Sequence, residues 1–204
     1  MPKFRKRIPR RRNVVKIARH YSEHRKNLKE DFNHRCGYCD SHDGFRRAHY
    51  EIDHFIPKKY LKETFTKPEE YKDKEQEYSN LVYACRSCNN AKRNKWPTKS
   101  MDVCHKDNVG FIDPCKSEYD DQFDRKDNGE IIAITELGKW IYKELNLSKP
   151  EHRIIWLLDE INKTIHEIEK MIINKPAGNR KKLEEIHYKL LLNYHKFHNE
   201  LMEY

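Results

Sequence analysis

Nowhere among these 204 residues is there a run of the roughly 20 apolar residues needed to cross a bilayer. The opening MPKFRKRIPRRR also lacks the apolar stretch of a secretory signal, so neither a membrane protein nor an exported one is expected. The first acidic residue is Glu23, as in a mitochondrial presequence, but Pro2, Pro9 and the scarcity of serine in that stretch argue against one. No repeat with a period of about 20–50 residues is visible. Apolar residues are few, at 36% of the chain against 37% charged. So polar a composition implies a small core, or a fold that relies on bound metal or a partner.

Positive charge and cysteine are what the chain does have. Its formal charge of +9 attracts polyanions, of which nucleic acid is the usual one. Its six cysteines are expected in the cytoplasm, where thiols stay reduced and paired spacing signals metal more often than a disulfide.

Three parts separate along the chain. Residues 1–12, nearly all Lys, Arg and Pro, read as a basic arm without structure of its own, free for phosphate contacts or simply solvated. Residues 13–100 open on a helical period that puts Ile17, Tyr21, Leu28 and Phe32 on one broad face. Residues 48–56 alternate as a strand ended by Pro57, and roughly 58–79 reads as a long charged loop. Leu81 to Ala84 is a second short strand, and a helix through Asn89 to Arg93 is closed by Trp96-Pro97. Residues 101–204 form an extension. In it Phe123 and Ile131 to Ile134 flank Asp127-Asn128-Gly129, a strong hairpin signature. A helix follows from Thr135 or Glu136 to Leu145. Ser148-Lys149-Pro150-Glu151 has the form of a capping box ahead of Ile154, Leu157, Leu158, Ile161, Ile165, Ile168 and Ile172. Lys175-Pro176-Ala177-Gly178 breaks that helix, and a last one carries Leu183, Ile186, Leu190, Tyr194, Phe197 and Leu201. The pair is a helical hairpin whose apolar stripe either packs on its own domain or serves a partner or dimer interface.

Cys36-x-x-Cys39 and Cys85-x-x-Cys88 are two zinc knuckles able to share one ion. Gly37 supplies the permissive backbone of the first turn. Four thiolates leave no open position, so this zinc is structural rather than catalytic. Cys104 and Cys115 lack such spacing and read as plain thiols. Between the knuckles lie Glu51-Ile52-Asp53-His54-Phe55-Ile56-Pro57, then Asn80-Leu81, then Cys88-Asn89-Asn90-Ala91-Lys92.

In that order and inside that cysteine frame, residues 36–95 resemble the HNH endonucleases, whose signature is CxxC, DHxxP, N and CxxCNxxK. Asn89 at the third position and the nine-residue step from Asn80 match the HNN variants, which include the HNH domain of CRISPR effector nucleases. The resemblance implies an α+β fold with a ββα-metal (His-Me finger) core, an N-terminal helix and a mainly helical extension. It implies that His54 is the general base, that Asp53 and Asn89 hold a divalent ion, Mg²⁺ or Mn²⁺, and that Asn80 braces the loop aiming His54. Lys92, Arg93 and Lys95 would clamp flanking phosphates. Strand alternation sends Asp53 and His54 to opposite faces, so a twist or bulge before Pro57 would be needed to aim both at one phosphate. DNA is the expected substrate. A ribonuclease, or a basic zinc protein that binds nucleic acid without cutting, is the alternative. The extension resembles, more loosely, the small HNH subunit of Septu-type bacterial anti-phage systems, which works beside an ATPase partner. Members of that group often carry Glu where this chain has Asp53.

Overall fold

Local signals decide where the elements begin and end in the computed structural model, which describes residues 3–14, 18–46, 48–176 and 180–204. A single turn of 3-10 helix, Tyr21–His24, starts on a reciprocal cap between His20 and Glu23 and runs into α1 (Arg25–Asp31), which buries Leu28. Ile17, counted above on the face of this helix, lies outside the described residues. Asn33 and His34 then take positive φ and turn the chain into the first cysteine pair.

β1 (Glu51–His54) follows, and Pro57 starts the helical stretch α2 (Lys58–Thr64). The segment expected as a loop is thus mostly helical, because α3 (Pro68–Gln76) comes next. Pro68 in its first turn, Glu69 and Glu70 beside it and Lys74 near its end all suit a helix and its dipole. No residue of α3 is buried, so apolar periodicity gave no warning of it. β2 (Leu81–Ala84) pairs antiparallel with β1, with Glu51 opposite Ala84 and His54 opposite Leu81. α4 (Arg86–Lys92) crosses the pair and completes a ββα unit.

The extension adds two further two-stranded antiparallel sheets. β3 (His105–Lys106) and β4 (Val109–Gly110) are joined by Asp107 and Asn108, both at positive φ as a tight two-residue turn requires. After α5 (Ser117–Asp120) come β5 (Phe123–Arg125) and β6 (Ile131–Ala133), paired around the Asn128-Gly129 turn. Gly129 has φ 85°, and a Cβ there would lie 2.9 Å from the Arg153 carbonyl oxygen. Thr135 caps α6 (Glu136–Glu144). α7 (Pro150–Ile173) begins with Pro150, which makes Lys149 its N-cap, so the expected Ser148–Glu151 box does not form. Glu151 pairs instead with Arg46 at 3.1 Å. α8 (Lys181–Met202) closes the hairpin; of the expected helix break, Ala177 and Gly178 lie outside the described residues.

The basic segment is not a loose arm. Phe4 is buried, and Arg5 is spent inside on the Asp120 carboxylate and the carbonyls of Gly37 and Pro114. Arg11 reaches the Leu81 carbonyl and Asp113, and Arg12 reaches Asp31 and Glu30. Guanidinium groups satisfy buried carbonyls better than any other side chain, with several donors in one plane. Residues 3–12 therefore strap the zinc-knuckle region to the extension. One apolar cluster extends from Phe4 to Leu147, so the packing continues across residue 100.

Candidate active site

The fold brings the four cysteine sulfurs together. Cys36, Cys39, Cys85 and Cys88 are buried, and their Sγ atoms all lie within 4.8 Å of one another. Cys39 and Cys85 are 3.8 Å apart, the edge of a tetrahedron with metal–sulfur bonds of about 2.3 Å. Gly37 matters here for its missing side chain rather than its backbone freedom. A Cβ would lie 2.7 Å from the Phe32 ring and 2.9 Å from Val82, and its φ is not positive. The carbonyls of residues 37, 38 and 39 are captured by Arg5, Tyr119 and Arg125 respectively. The knuckle is thereby held by the N-terminal strap and by the extension.

Within the ββα unit, residues 51 and 53 share the face of β1 that meets α4. Asn89 Nδ2 donates to Glu51 at 2.6 Å, and Lys92 Nζ lies 2.9 Å from an Asp53 oxygen. Tyr38, from inside the first knuckle, donates its hydroxyl to Asp53 at 2.5 Å. Lys92 is 0% exposed and donates also to the His54 carbonyl at 2.8 Å. The sequence reading placed Lys92 on substrate phosphate; the structure turns it inward, because Asp53 is buried and requires a partner. Burial pushes the Asp53 carboxyl up and the Lys92 ammonium down, while their mutual attraction opposes both shifts.

His54 points the other way. β1 stays regular to its end, without the bulge that would bring the two neighbours together. Its Nε2 is 3.0 Å from the carbonyl oxygen of Glu75, in the last turn of α3, and Tyr21 packs edge-on at 4.7 Å between ring centres. A carbonyl only accepts, so Nε2 carries the proton and Nδ1 holds the lone pair. Burial, with Lys58 and Lys92 nearby, lowers the His54 pKa to about 4, against the opposing pull of the Glu75 carbonyl. The imidazole is therefore neutral near pH 7, as a proton acceptor must be.

Asn80 grips the turn that follows. Its Oδ1 accepts from the Ile56 N–H at 2.7 Å, its Nδ2 donates to the Ile56 carbonyl, and its own carbonyl accepts from Phe55. Arg93 and Lys95 are both exposed, and Lys95 pairs with Glu144 at 2.7 Å. Three contributors went unassigned in the sequence. Glu51 was legible, being two residues from Asp53 on one strand face. Tyr38 and the Glu75 carbonyl carried no signal, since each acts through a tertiary contact.

Comparison with known proteins concerns the same stretch of the chain. Residues 36–95 match the family model described as HNH endonuclease, so an HNH domain occupies the zinc-knuckle and ββα part of the chain. Among curated proteins the chain is similar to the Septu protein PtuB of Bacillus mycoides (strain KBAB4), with 31% identity over 124 residues. The alignment covers 55% of this chain and 41% of that relative, so about two fifths of the relative's length is spanned. No solved structure matches. Among the described residues, no helix is long and apolar enough to cross a membrane.

Proposed function

We propose that the chain is a metal-dependent HNH endonuclease that hydrolyses phosphodiester bonds in DNA as part of bacterial anti-phage defence. The observation that carries this reading is His54: its Nε2 is fixed on the Glu75 carbonyl, which leaves Nδ1, without a hydrogen-bond partner among the described residues, as the nitrogen that can accept a proton. Nδ1 would take the proton from the attacking water, and the imidazolium that results would share its Nε2 proton with the Glu75 carbonyl. Asn80 would keep the Phe55-Ile56 turn, and so the imidazole, from swinging.

Zinc on Cys36, Cys39, Cys85 and Cys88 fits the sulfur spacing and is proposed as structural. By the resemblance, a divalent ion, Mg²⁺ or Mn²⁺, would sit on Asp53 and Asn89, and Glu51, which accepts from Asn89 Nδ2, is a further oxygen donor on the same face. When bound, it would polarise the scissile phosphate and neutralise the leaving oxygen. Glu51 is the more open carboxylate, while Asp53 would have to part from Lys92. Asp53→Asn and Glu51→Gln, compared for Mn²⁺ affinity, decide which carboxylate is the ligand. The similarity to a Septu protein supports the defence role, and the exposed side of α8 is the proposed seat of an ATPase partner.

The decisive experiment is plasmid cleavage with Mg²⁺ or Mn²⁺ by the wild type and by His54→Ala. Cutting by the wild type alone supports the reading; equal cutting by both removes His54 as base. A second reading, a nucleic-acid-binding module without cleavage, is favoured by one feature, the Lys92–Asp53 pair that closes a carboxylate expected to meet metal. Duplex binding without cutting under any divalent ion would select it. Faster cutting of RNA than of DNA would select the ribonuclease alternative.

A further inference from the structure

The three cations that follow Asn89 meet different fates. Lys92 is buried on Asp53, and Lys95 reaches Glu144. Arg93 is exposed, and among the described residues its guanidinium has no carboxylate partner; Nε donates to the Asn90 carbonyl at 2.9 Å. Its backbone is unusual as well. Arg93 has φ 48° and ψ −126°, and the Lys95 N–H donates to the Lys92 carbonyl at 3.0 Å to close a four-residue turn. Those angles at the second position of a turn define type II′, where glycine is the usual occupant. An arginine therefore stands where its own Cβ creates strain that glycine would relieve. Strain of this kind persists at sites where the side chain is needed. The Arg93 N–H also donates to the Asn89 carbonyl at 2.9 Å, which ties the turn to the residue proposed to face the ion.

We infer that Arg93 is a substrate-binding residue, held on a glycine-type turn so that its guanidinium grips a nucleic-acid backbone phosphate beside Asn89. The identity of the polyanion rests on the function proposed above. Its planar fork of donors matches two phosphate oxygens at once, which a lysine ammonium does not.

The test compares wild type, Arg93→Gly and Arg93→Lys in three measurements: thermal unfolding, binding of a DNA duplex over a range of salt without added divalent ion, and plasmid cleavage with Mn²⁺. Arg93→Gly is expected to melt about 2–4 °C higher as strain is released. Its slope of log affinity against log salt should fall by about 1, the signature of one lost phosphate contact. Cutting should drop about tenfold. Arg93→Lys should keep the salt slope and lose part of the affinity. An Arg93→Gly protein with the wild-type slope, or one that melts lower, overturns the inference. If the wild type binds duplex but cuts with no divalent ion, the nuclease reading fails while the salt slopes still decide the role of Arg93. A wild type that binds no duplex overturns the inference directly.

Discussion

The ββα unit and the α7–α8 hairpin solve opposite problems. Around β1, α4 and the cysteine frame, charged and polar side chains are inside and paired, Asp53 with Lys92 and Tyr38, His54 with Glu75 and Asn80 with Ile56, while the buried Ser87 hydroxyl has no hydrogen-bond partner among the described residues. In the hairpin, apolar groups are outside. α8 has no buried residue, and Tyr188, Leu191 and Leu192 stay exposed, while α7 buries Ile154, Ile155 and Leu158 against the body of the protein. A buried polar group that loses its partner is costly, so the first region should be sensitive to single changes. The second has apolar surface to spare and should accept change outside its α7 seam.

The sharpest break in that contrast should come from the metal frame. Removing the proposed zinc with a strong chelator, or Cys85→Ser, is expected to unfold the ββα unit, since structural zinc supplies on the order of 10 kcal/mol in small zinc domains. Circular dichroism during chelation reads it; retained structure would mean the strap and core suffice without metal. Next in size is Lys92→Met, which strands the Asp53 carboxylate and should cost about 3–5 kcal/mol, measured by urea unfolding. Lys92→Met with Asp53→Asn should recover much of that loss, as expected if the two act as a pair.

A smaller effect follows from His54. Its folded pKa of about 4 lies below the usual value near 6.5, so the unfolded chain binds the extra proton first as pH falls. His54 therefore contributes stability that is full above pH ~6.5 and declines between there and pH ~4. Unfolding titrations should show that loss reduced in His54→Gln. The acid limb of kcat/KM should sit below the ordinary histidine range. The smallest effect is expected on α8. Leu192→Lys should change stability by no more than about 0.5 kcal/mol, whereas Ile155→Ala on α7 should cost about 2–5 kcal/mol. A large loss in Leu192→Lys would show that the exposed side of α8 is covered in solution.

Much of this contrast was legible in the residues. Paired cysteines, the Asp53-His54 step and Asn89 pointed to the candidate site. The Asn128-Gly129 turn and the apolar stripe of α7 located the hairpins. Three of the misreadings share a cause, which is that charge has no periodicity. The segment 58–79 looked like a loop because α3 buries nothing, and the basic start looked free because nothing local reveals the carbonyls and carboxylates waiting for Arg5 and Arg11. Lys92 looked like a phosphate clamp for the same reason.

By itself, then, the sequence determined which residues could do chemistry and what would hold them: four thiolates for a closed metal site, a histidine at a strand end, an amide on the following helix. Spacing suffices for that, because strand and helix periods assign faces locally. Only the tertiary structure decided which nitrogen of His54 is free, which carboxylate is closed and which cation remains open. Those outcomes depend on partners supplied by Glu75, Tyr38 and Glu144 from other elements, and a buried charge goes wherever the fold provides its counter-charge.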